Sequence, residues 1–208
     1  MPVTPAVLLA LGLLTLAVVW GSPLPALAPH RFSAHMTMHM GVVAVAAPLI
    51  ALGLAGTRVD LARRWPAIFS AIPASLVELA VVWAWHAPVL HHAARSTAAG
   101  LVAEQGLFLA SGLLVWISSV GGEPARGAGR AGAGVVALLL TSMHMTLLGA
   151  LIALAPRPLF EHAAQAAVNP LAEQQLGGVI MLVVGGMAYL AGGLWLSARM
   201  LNERLRTA

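Results

Sequence analysis

Six blocks of this chain, at 4–21, 35–56, 66–86, 100–120, 133–155 and 174–197, are apolar over about the length an α-helix needs to cross a bilayer, and polar residues collect between them. That length is roughly 20 residues. The pattern predicts one all-α domain over residues 1–208, a polytopic membrane bundle of about six transmembrane helices. The first block is the shortest. Ala26-Leu27-Ala28 after it resembles a signal-peptidase site, but no positive residue precedes Arg31, so a retained helix is expected. The Gly-rich stretch from Gly121 to Gly134 reads as a loop. In the last block Gly178, Gly185 and Gly192 recur every seven residues, which reads as a face for close helix packing.

Loop charges give the frame an orientation. With both termini cytoplasmic, Arg58, Arg63, Arg64, Arg126, Arg130, Arg199, Arg204 and Arg206 fall inside, and Arg31, Arg95 and Arg157 fall outside. The inner excess of arginine is the pattern of cytoplasmic loops. Trp20, Trp83 and Trp85 then lie near outer helix ends, and Trp65, Trp116 and Trp195 near inner ends, as interfacial aromatic belts do.

Composition narrows the chemistry. The 208 residues are 60% hydrophobic and 9% charged, and the net charge of +4 comes from arginine alone, because the chain has no lysine. In so apolar a chain those arginines mark loops, and a nucleic-acid partner is not expected. The chain has no cysteine, which excludes disulfides, thiolate metal sites and cysteine catalysis. No Ser-His-Asp pattern, phosphate loop or HExxH helix is present, so turnover of an organic substrate is not expected.

The polar residues within the blocks are one-sided. In the oriented frame His30, His35, His86, His91, His92 and His162 sit in outer loops or at outer helix ends, His39 lies one turn in, and His144 lies near the middle of its helix. Glu104 is about one turn inside an outer end, and Glu78 is eight residues before His86, about 12 Å deeper at helical rise. Ionisable groups in hydrocarbon are expensive and usually mark a site. The stretch SAHMTMHM, residues 33–40, is the densest. Its His35 and His39 share one helix face, with Met36 and Met40 about 100° round and Met38 on the other flank. Imidazole with thioether is a soft, neutral donor set that suits Cu(I). The later Met143-His144-Met145 splays widely, so His144 and one neighbour are all it offers to a common point. Glu78 and Glu104 are open to three readings: proton relay, histidine partner or metal ligand. His39 with His144 is an alternative axial pair for haem b, and a transport path for copper or protons is a third reading; the inner halves of the helices hold almost no ionisable groups to line one.

The chain resembles the CtaG family of integral-membrane cytochrome c oxidase assembly proteins. The likeness rests on SAHMTMHMGVVAVAAPLIALG, on the Trp-x-Trp-His-x-Pro turn from Trp83 to Pro88, on the Glu-containing start of the fourth block, on the Met-His-Met helix followed by Pro-Arg-Pro-Leu, and on Glu173-Gln174-Gln175-x-Gly177-Gly178. It implies a bacterial inner-membrane protein that serves assembly of a copper-containing oxidase and handles the copper, with an oxidase subunit or a periplasmic copper carrier as partner. It also implies His35, His39, His86, Glu104 and Gln174 as site positions. Two positions depart from the family pattern: Glu173 stands where Asp is usual, and Gln105 where His often follows the glutamate.

Overall fold

A computed structural model describes residues 4–122, 127–160 and 169–207; Arg126 and His162 lie outside the described residues. All six apolar blocks are helical, and no strand occurs among the described residues. We number the helices α1 (Pro5–Gly21), α2 (Phe32–Leu54), α3 (Ala71–Trp85), α4 (Pro88–Ser96), α5 (Ala98–Val120), α6 (Gly127–Ala153) and α7 (Pro170–Leu205). Four of them, α2, α5, α6 and α7, are long and apolar enough to span a membrane, and α3 with α4 forms a fifth, broken span. At 17 residues, α1 reaches about 25 Å, a little under the hydrocarbon thickness. The protein is an all-α, multi-pass membrane protein.

The sequence accounts for the departures from the expected blocks. The third helix begins at Ala71 rather than 66, with Ser70 as an extended N-cap. It stops at Trp85 because Pro88 cannot continue it and forces Ala87 into an extended conformation, φ −67° and ψ 136°. The chain bends there by 72° and re-enters a helix, α4, where a loop was expected. The glycine-rich stretch is likewise helical from Gly127. Its Gly134 lies so close to α5 that a Cβ would sit 2.8 Å from the Ser119 carbonyl oxygen, an approach only glycine permits.

The core is built around α2. It packs against α1, α5 and α7, while α6 touches α3, α5 and α7. The glycine repeat of α7 serves three neighbours in turn: Gly178 lies on the Ala153 and Gly149 backbone of α6, Gly185 on Met40 and Met145, and Gly192 on the Trp116 ring. Midway along α2, Gly41–Ala46 is wound as a π-helix. Pro48 has no N–H to offer the Val43 carbonyl five residues earlier. That oxygen instead accepts hydrogen bonds from Trp116 Nε1 at 3.1 Å and Tyr189 OH at 3.3 Å. Trp116 is therefore an interior residue, stacked on Tyr189, and not a member of an interfacial belt.

Candidate metal centre

The break between α3 and α4 brings three helices to one point. Ser33 starts α2 with its N–H and its hydroxyl both donated to the Glu173 carboxylate of α7, at 3.3 and 2.6 Å. Two residues on, His35, and one turn later His39, face α3, α4 and α5. The His35 ring centroid lies 5.8 Å from His86 and 5.0 Å from His91, and His39 lies 5.4 Å from His86. All four imidazoles are buried, as is Glu104 of α5. Ligand atoms of His35, His91 and Glu104 fall within 4.8 Å of one another, close enough to share one metal ion. His144 of α6 is buried beside them as an electrostatic neighbour of His39.

Hydrogen bonds fix two of the tautomers. His86 Nδ1 lies 2.6 Å from the Val82 carbonyl oxygen. A carbonyl only accepts, so Nδ1 carries the proton and Nε2 keeps its lone pair. That Nε2, and both nitrogens of His39, are buried with no hydrogen-bond partner among the described residues. A ring nitrogen held by a backbone carbonyl while its opposite nitrogen stays free is the arrangement by which histidine ligands are oriented for metals. His35 is held differently. Arg95, in the last turn of α4, donates from Nη1 to His35 Nδ1 at 2.8 Å and from Nη2 to Glu104. Arginine only donates, so His35 Nδ1 is an acceptor and the proton of the neutral ring is on Nε2.

Aromatic rings enclose the cluster. Phe108 lies 3.9 Å from His39, centroid to centroid, and Phe32 stacks on Phe160 at 4.6 Å above His35 and His91. Such a wall excludes water and strengthens every charge interaction inside it.

The remaining sequence-predicted residues lie elsewhere. Met36 and Met40 are about a quarter-turn from the histidines, as their spacing requires, and that face of α2 meets α7: Met36 contacts Gly177, and Met40 Sδ lies against Gly185. Met38 lines a separate groove of about 390 Å³ with Trp20, Leu101 and Gln105. Met143 is 68% exposed on the outside of the bundle. Gln174 ties down the backbone after α6, accepting from Leu159 N at 2.6 Å and donating to the Ile152 oxygen at 3.2 Å. Glu78 is buried deeper, hydrogen-bonded to Tyr189. Gln105, the departure from the family pattern, donates to Glu104 at 3.4 Å and accepts from Trp20 Nε1 at 3.3 Å. The donors brought together among the described residues are thus imidazoles and one carboxylate, while Met36 and Met40 lie toward α7. The participants not singled out from sequence are Arg95, read there only as a loop charge, His91, read there only as an outer-loop residue, and the rings of Phe32, Phe108 and Phe160.

A family model described as cytochrome c oxidase caa3 assembly factor (CtaG) matches residues 1–203, essentially the whole chain. No curated protein and no solved structure matches.

Proposed function

The chain belongs to the cytochrome c oxidase caa3 assembly factors, and on that premise we propose that it is a non-catalytic assembly factor that takes up Cu(I) on the buried histidine cluster. In this reading His39 and His86 are the resident ligands, His35, His91 and His144 lie within reach as further imidazole donors, and Glu104 is the one carboxylate. The observation that carries it is the His86 ring: the Val82 carbonyl holds its Nδ1 proton, and the opposite nitrogen is buried without a partner among the described residues. An unpaired buried nitrogen is costly unless something binds it. Neutral imidazoles form a donor set that copper accepts. Membership in an oxidase assembly family narrows the metals that imidazole suits to those such an oxidase holds, copper and haem iron, and of these copper suits a site where several imidazoles converge, whereas haem iron takes an opposed pair. The oxidase, or a periplasmic copper carrier, is the exchange partner.

Metal analysis of protein purified from copper-supplied cells is the direct test. Copper retained through dialysis, removable by a Cu(I) chelator, is the expected result. A preparation with iron and a Soret band, or with no metal and no Cu(I) uptake on titration, overturns the proposal.

The site is proposed to face outward from the bacterial inner membrane, with both termini cytoplasmic. The absence of cysteine makes single-cysteine labelling clean. A membrane-impermeant maleimide is expected to label Ser96→Cys on intact spheroplasts, and Asn202→Cys only after lysis; the reverse pattern inverts the topology. Both residues are exposed.

A further inference from the structure

We propose that Arg95 is a built-in competitor for the metal: its guanidinium closes the upper half of the histidine cluster and is displaced when that half is loaded. The inference rests on the copper reading and adds a control to the same site.

Arg95 occupies Nδ1 of His35 and an oxygen of Glu104 simultaneously, and these are two of the three residues whose ligand atoms converge closely enough for one ion. A metal that binds His35 through Nδ1 competes with Arg95 for the same electron pair. A metal that binds through Nε2 requires the ring proton to move to Nδ1, where an N–H then faces the guanidinium N–H. Neither mode leaves the Arg95 contact intact. At Glu104 the guanidinium takes Oε2, the oxygen 3.5 Å from His35 Nδ1, and leaves Oε1 without a partner among the described residues, so the competition there is for the oxygen nearest His35. The lower pair, His39 and His86, has no such occupant among the described residues: both His39 nitrogens and His86 Nε2 are buried without a hydrogen-bond partner.

The position of Arg95 in the chain suits a movable group. Its side chain is buried, with 4% exposure, yet it is carried by α4, a helix of nine residues. Both joints of α4 are extended: Ala87 at ψ 136° and Thr97 at φ −140°, ψ 145°. Glu104 and His35, by contrast, sit on the long helices α5 and α2. Arginine is also the residue least able to lose its charge by giving up a proton, so it leaves the site only by moving. A metal-free cluster is thereby kept from capturing abundant weakly bound cations, while a soft ion first held by His39 and His86 can recruit His35 at the expense of the guanidinium. The apparent affinity is scaled down to the fraction of molecules in which Arg95 is undocked.

Equilibrium Cu(I) titration against a chromophoric chelator tests this on the full-length protein in detergent. Arg95→Ala is expected to bind Cu(I) about tenfold more tightly than the parent. Millimolar methylguanidinium should return the Arg95→Ala affinity toward the parent value and leave the parent unmoved, a rescue that a general loosening of the fold would not give. Arg95→Gln, which keeps a hydrogen-bond donor for Glu104, serves if Arg95→Ala does not fold, and is expected to shift in the same direction. If the parent binds Cu(I) and the folded variants bind no more tightly, the competitor role is discarded and the histidine site stands. If neither parent nor variant binds Cu(I), the copper reading falls and takes this proposal with it.

Discussion

Replacing His39 with alanine is expected to weaken Cu(I) binding by at least about 100-fold, and His86→Ala by a similar factor. Loss of a group that merely orients a ligand typically lowers metal affinity 10–100-fold, so loss of the ligand itself sets a floor near the top of that range. The two rings are 5.4 Å apart by centroid, and neither His39 nitrogen nor His86 Nε2 has another partner among the described residues. Met36→Leu and Met40→Leu give the contrast. Their thioethers lie toward Gly177 and Gly185 of α7, and a volume-conserving exchange of methionine for leucine is tolerated in a packed interior. Affinity in these two variants should stay within about threefold of the parent, or about 0.7 kcal/mol. Competition titration of all four proteins, with gel filtration to establish that each elutes like the parent, decides between a pure imidazole site and one that needs sulfur. Equal losses in the methionine and histidine variants would restore a mixed donor set.

That contrast also marks where sequence reasoning stopped. The spacing of His35 and His39, four residues apart, shows that they share a face, and their placement next to His86 and Glu104 follows once the helices associate. The same spacing puts Met36 and Met40 about 100° away. It does not say which neighbour waits there, and that neighbour is the glycine face of α7. Helix existence was legible because 18 or more apolar residues in a row have few other uses. The bend at Pro88 was legible as a turn. The helix beyond it was not, because Pro88–Ser96 is short and carries two histidines and an arginine, a composition that reads as loop. Arg95 was hidden for the same reason. Its pairing with Glu104, nine residues on, exists only because the chain turns a corner at Thr97, where Gly100 packs so closely that a Cβ would lie 2.3 Å from the Ala93 oxygen. Glu173 illustrates a milder gap: the motif was visible, but its anchoring of Ser33 across 140 residues was not.

The Arg95 and Glu104 pair carries the second large effect, on the fold itself. Glu104→Ala is expected to destabilise the metal-free protein by about 3–5 kcal/mol, the usual consequence of stripping one partner from a buried ion pair. For a chain of this size that corresponds to a fall in Tm of roughly 6–20 °C in detergent. The two single variants should not be equivalent. A carboxylate that loses its cation can take a proton and become neutral, whereas a guanidinium keeps its charge. Among the described residues Arg95 Nε has no partner, so the buried charge is satisfied there through Nη1 and Nη2, and Glu104→Ala removes the one anion among those partners. Arg95→Gln should therefore cost much less than Glu104→Ala, and Arg95→Gln combined with Glu104→Ala should recover most of the loss, because no buried charge is then left alone. Thermal unfolding of the four proteins forms a double-mutant cycle whose coupling isolates the pair. Additive losses would mean that the two residues act independently, and that Arg95 is held in the cluster by something other than the carboxylate it touches.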